Sequence, residues 1–70
     1  MKIEELKVLL EKKYVNFREV NSYKELSKNQ DSYLLKDNFI IGINLKNVDI
    51  KDIINQIFEI ESLNYLYFHR

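Results

Sequence analysis

Phe39-Ile40-Ile41-Gly42-Ile43-Asn44-Leu45, followed after a helical stretch by Leu63-Asn64-Tyr65-Leu66-Tyr67-Phe68, decides how this chain is read. The apolar positions Ile40-x-x-Ile43-x-Leu45 return about 23 residues later as Leu63-x-x-Leu66-x-Phe68, an echo at the spacing of one strand-helix-strand unit. Between the copies Ile50, Ile53, Ile54, Ile57 and Ile60 form an apolar helical stripe, while Lys51, Asp52, Asn55, Gln56 and Glu59 face away. Asp49 can cap this helix with Asp52 at its third position, and Val48 and Ile53 have the spacing of a hydrophobic staple. Leu63 to His69 then alternates, with Leu66 and Phe68 on one face and Tyr65, Tyr67 and His69 on the other. Two strands joined in this way predict a parallel pair with a right-handed crossover.

Working outward, Tyr33-Leu34-Leu35 and Phe39 to Leu45 predict a β-hairpin across Lys36-Asp37-Asn38, because Asp and Asn accept the positive φ of a tight turn. Ser22 and Glu25 have the form of a capping box, predicting a short helix from Tyr23 to about Ser27. Ile3, Leu6, Leu9 and Leu10 follow helical spacing up to about Lys13, with Glu4 and Glu5 in the first turn and Lys12 and Lys13 in the last. Tyr14 to Val20 reads two ways. Tyr14 and Phe17 extend the helical stripe, whereas Val15, Phe17 and Glu19 alternate like a strand. The resulting expectation is one α+β domain over residues 1–70. Its first part, 1–32, is mainly helical. Residues 33–70 form a three-stranded mixed sheet, hairpin plus right-handed β-α-β unit, covered by helices on one face.

Composition limits the function. Seventy residues lie near the lower size at which one core suffices. The absence of cysteine excludes disulfides and thiolate metal sites and fits a reducing, cytoplasmic setting. Eleven basic and eleven acidic residues cancel, which removes the long-range field that most nucleic-acid binders use. The opening Met1-Lys2-Ile3-Glu4-Glu5 is neither a signal peptide nor a membrane span. Proline is absent and Gly42 is the only glycine, so the eight asparagines and the aspartates must supply the turns.

From Ile40 to Arg70 the chain resembles a leucine-rich repeat protein. Ile40, Ile43, Leu45 and Ile50 match the conserved apolar positions of that motif, and Leu63, Leu66 and Phe68 look like the start of a second copy. About one and a half repeats are covered, and the family's turn asparagine falls on Val48. The resemblance implies recognition through the outward residues of the strands. Here those are Gly42, Asn44 and Lys46 on the first strand and Tyr65, Tyr67 and His69 on the second. The period sets Gly42 beside Tyr65, Asn44 beside Tyr67 and Lys46 beside His69. With stacking requiring about three repeats, the chain is expected to be an opening segment of an array or an independent domain using the same unit.

A search for chemistry points away from catalysis. His69 is the only histidine and no sequence neighbour supplies a catalytic partner. None of Ser22, Ser27, Ser32 and Ser62 sits in a glycine-rich elbow, and one glycine cannot build a phosphate loop. Asp49, Asp52 and Glu59 could be imagined as a hard-metal cluster, but capping accounts for the aspartates and Glu59 lies on the polar helical face. Lys7, Lys12, Lys13, Arg18, Lys24 and Lys28 are interleaved with glutamates, so nucleic-acid binding ranks below protein binding. The expectation is a non-enzymatic protein-interaction domain without metal or cofactor, like the small phage or mobile-element inhibitors of which anti-CRISPR proteins are one kind. Its partner-binding residues are expected to be Asn44, Lys46, Tyr65, Tyr67 and His69, with a homodimer possible through the Leu63–His69 edge. No membrane association is expected.

Overall fold

The computed structural model describes residues 2–46 and 48–69. The elements run α1 (Ile3–Glu11), β1 (Arg18–Val20), α2 (Tyr23–Lys28), β2 (Ser32–Lys36), β3 (Phe39–Lys46), α3 (Ile54–Phe58) and β4 (Tyr65–His69). The strands form one open sheet in the order β1-β2-β3-β4. The fold is α+β as expected, with a fourth strand that the three-stranded reading lacked. That strand comes from the ambiguous segment, where Arg18 to Val20 pair in parallel with Ser32 to Leu34.

Helix α1 explains why the ambiguity arose. Its last turn closes with the Tyr14 amide donating to the Glu11 carbonyl at 3.0 Å and the Val15 amide donating to Leu10 at 3.1 Å. This is a Schellman arrangement, with Tyr14 left-handed at φ 61°. Leu10 and Val15 meet in the core, the apolar contact that accompanies such a cap. Helical spacing therefore runs through Tyr14, and strand spacing takes over after it.

The hairpin is as expected, with Asp37 and Asn38 at φ 52° and 68°, the geometry of a type I′ turn. Strands β2 and β3 pair antiparallel, and their register shifts between Leu34 and Leu35, so that Leu34 faces Gly42 but Leu35 faces Ile40. The shift leaves Ile41 as an extra residue on β3. Ile40 and Ile43, three residues apart, therefore both enter the same core, while Ile41 packs on the other side. Carbonyls at the bulge anchor the start of β4. The Ser62 hydroxyl donates to Ile40 at 2.6 Å and the Asn64 amide donates to Ile41 at 2.9 Å. Strand β4 then lies parallel to β3 with Gly42 beside Tyr65, Asn44 beside Tyr67 and Lys46 beside His69, the register that the echo predicts.

Helices cover both faces of the sheet, not one. On the first face Leu6 and Leu10 of α1 join Tyr33, Ile40, Ile43 and Leu45 of the sheet and Ile50, Ile53, Ile57 and Ile60 around α3. On the second, Leu26 of α2 meets Val20 and Leu34. The chain direction accounts for this. Both β1-α2-β2 and β3-α3-β4 step the same way across the sheet, but along antiparallel strands. Two right-handed crossovers so arranged must lie on opposite faces. Helix α3 itself is shorter than its stripe. Asp49 accepts from the Lys51 amide at 3.1 Å, yet regular helix begins only at Ile54.

Candidate interaction site

Of the outward residues of β3, Gly42 and Asn44 sit under α2. Gly42 leaves room that a Cβ would take, because one placed there would collide with Cδ2 of Leu26. Asn44 is 2% exposed, and its Nδ2 donates to the Leu26 carbonyl at 2.7 Å. Its Oδ1 is buried and unpartnered. Asn44 is therefore corrected from a contact residue to an internal one, since α2 occupies the space in front of it. Lys46, beyond the end of α2, is exposed. Its backbone amide donates to the Asp31 carboxylate at 3.3 Å.

On β4 the tyrosines are partly covered by the same helix. The Tyr23 ring stands 4.3 Å from that of Tyr65 and 6.4 Å from that of Tyr67, centroid to centroid. The Tyr67 hydroxyl donates to the Tyr23 hydroxyl at 2.8 Å. That hydrogen bond, helped by desolvation, holds the Tyr67 pKa above the ordinary tyrosine value. Tyr23 is 48% exposed and Tyr65 36%. The result is a strip of three aromatic rings along the α2 side of β4, of which sequence reading missed Tyr23. No sequence signal links Tyr23 to β4, because the pairing depends on which face α2 takes. The His69 side chain lies outside the described residues.

The two sheet edges differ in kind. Strand β1 has three residues and carries exposed Arg18 and Glu19. Strand β4 has five, with no acid, lysine or arginine, and Leu66 and Tyr65 are each 36% exposed. Short, charged edges resist pairing with foreign strands, whereas long uncharged ones invite it.

Other arrangements offer less chemistry. Asp52 pairs with Lys13 at 2.8 Å, and hydrogen bonding to that ammonium lowers its pKa. Among the described residues no three His, Cys, Asp or Glu gather to hold a metal ion, and no helix is long and apolar enough to cross a membrane. A cleft beside the hairpin is lined by Glu4, Lys7, Glu19, Tyr33 and Phe39. There Lys7 lies over the Tyr33 ring, 5.2 Å from its centroid, and its pKa is raised, first by the Tyr33 phenol and further by Glu19 and Glu4. Lys7 of α1 and Lys24 and Lys28 of α2 lie on helices that cover opposite faces of the sheet.

Compared with known proteins, the chain matches no family model, no curated protein and no solved structure.

Proposed function

We propose that this chain is a non-enzymatic protein-interaction domain whose contact element is the outer edge of β4, flanked by Tyr23 and Tyr65. The observation carrying this reading is the contrast between edges: β4 is uncharged with Leu66 and Tyr65 half-exposed, while β1 is short and charged. An extended segment laid along β4 gains backbone hydrogen bonds there. The tyrosines add rigid, amphipathic contact area of the kind enriched at interfaces. Lys46 and His69 are paired positions at the far end of β3 and β4. A cytoplasmic inhibitor that blocks a larger enzyme by covering its surface, in the manner of anti-CRISPR proteins, fits this arrangement without any cofactor.

The β3-β4 register supports a second reading, that of an opening unit of a leucine-rich-repeat array. In that case the added strand is the next repeat. Helix α2 then covers the face that repeat proteins use for recognition, which favours the independent domain. The discriminating experiment is affinity capture from the source organism with wild type and with Leu66→Lys, whose fold is checked by circular dichroism. A partner retained by wild type and lost by the variant supports strand addition. Equal capture rejects it.

A further inference from the structure

Resting on the strand-addition reading, we infer that the segment best matched to the β4 edge is β4 of a second copy, paired antiparallel about a two-fold axis through Tyr67. The match lies in the order of the side chains. Leu66 and Phe68 are equidistant from Tyr67, so the two-fold brings Leu66 opposite Phe68 of the second copy and the reverse. Phe68 packs against the large core and Leu66 is 36% exposed, so each copy covers the apolar surface that the other leaves open. Directly opposed residues stand about 4.5–5.5 Å apart at Cβ, close enough for these side chains to pack. On the α2 side, Tyr67 meets its own counterpart and extends the Tyr23-Tyr65-Tyr67 strip across the junction.

Charge distinguishes this edge from the alternative. The same operation applied to β1 about its middle residue would set Glu19 against Glu19, like charges directly opposed, which destabilises a strand pair. From Tyr65 to Phe68 nothing is charged, and the net charge of zero leaves little long-range repulsion between copies. A two-fold contact is also self-limiting, because each β4 edge is consumed by one partner and assembly closes at the dimer. Two four-stranded sheets then become one continuous sheet. A junction of five residues per strand is small, so the dimer is expected to be weak and concentration-dependent.

Sedimentation from about 10 µM to 1 mM, the range in which a weak complex dissociates, is expected to show the mass moving from monomer towards dimer. Leu66→Lys, which brings an unpaired ammonium opposite Phe68, is expected to raise the dissociation constant at least about tenfold. The chain lacks cysteine, so single variants report the register without background. Oxidised Tyr67→Cys is expected to cross-link to a dimer. Leu66→Cys is not, because that residue and its own counterpart stand diagonally, about 7–8 Å apart. A wild type that stays monomeric throughout overturns the dimer, as does cross-linking stronger at Leu66→Cys than at Tyr67→Cys. Neither outcome touches strand addition to a foreign protein, which fails only if Leu66→Lys captures the partner as wild type does.

Discussion

The two faces of this sheet are unequal, and the inequality organises the molecule. Among the described residues one face holds twelve buried apolar side chains, drawn from α1, the segment after it, the sheet and the α3 region. The other holds three buried apolar residues among those described, Val20, Leu26 and Leu34, together with the buried Asn44, beneath the six-residue α2. Burying a Leu or Ile contributes about 1.5–3 kcal/mol, so the first face dominates folding and the second adds little. What the second face has instead is fine geometry: a glycine that admits Leu26, an asparagine bonded to the helix backbone, and three tyrosines in contact. Low local stability is typical of segments that move or bind, and α2 borders the β4 strip.

The largest test of this contrast is Ile43→Ala. Ile43 is fully buried at the centre of the large face, and its loss is expected to cost about 4 kcal/mol by the cavity it leaves. In a 70-residue domain that is a large part of total stability. Urea denaturation followed by circular dichroism is expected to show the whole fold weakening together. If only the α1 region loosens, the large face is not one cooperative unit.

Asn44→Asp probes the small face. At neutral pH a buried carboxylate would confront the Leu26 carbonyl that Asn44 Nδ2 now serves. The penalty is expected at about 2–3 kcal/mol, limited because undocking α2 is enough to hydrate the charge. Burial raises the pKa of this carboxyl in the folded state above its unfolded value. The deficit is therefore present at neutral pH and fades as pH falls through the folded-state pKa, where the protonated acid can donate to Leu26. Hydrogen exchange is expected to rise across residues 23–28 and not in α1. A penalty that is flat with pH would mean the side chain does not stay beneath the helix.

The sequence carried the large face well and the small face poorly, for a physical reason. The stripes of α1 and α3, the Asp37-Asn38 turn and the β3-β4 register are local periodicities, and the structure bears them out. Which face α2 takes depends on the parallel pairing of β1 with β2, a relation between segments that leaves no periodic trace. With α2 unassigned, Asn44 and Gly42 read as outward surface when they are its seat. The one available hint was Gly42 itself, since a lone glycine inside a strand often marks close approach of another segment. In the candidate site, Tyr65 and Tyr67 were legible from alternation. Tyr23 was not.

Gly42→Val sharpens that point. The new Cβ would overlap Cδ2 of Leu26, so the helix must shift, at an expected cost of about 1–3 kcal/mol. Leu26→Ala removes the colliding atom. The double variant Gly42→Val/Leu26→Ala is therefore expected to be more stable than the sum of the single losses implies, by about 1 kcal/mol in a denaturation cycle. Strict additivity would mean that Gly42 serves some purpose other than admitting Leu26.

The smallest expected effect lies back on the large face, where Lys13, in the turn after α1, reaches Asp52 in the turn before α3. Asp52 is mostly exposed, so solvent screens the pair and its contribution is small. Its direction with pH is nevertheless fixed. Hydrogen bonding to Lys13 depresses the Asp52 pKa in the folded state, so the stabilisation is present above the unfolded carboxylate pKa. It disappears as pH falls through the lower, folded value. Asp52→Asn is expected to lower the melting temperature slightly at pH 7, less at high salt, and not at all at strongly acid pH. Because the pair ties α1 to the α3 segment, the loss is expected to appear in hydrogen exchange at both ends and to leave α2 unchanged. A change confined to α2 would show that the two faces are coupled through the sheet rather than separately held.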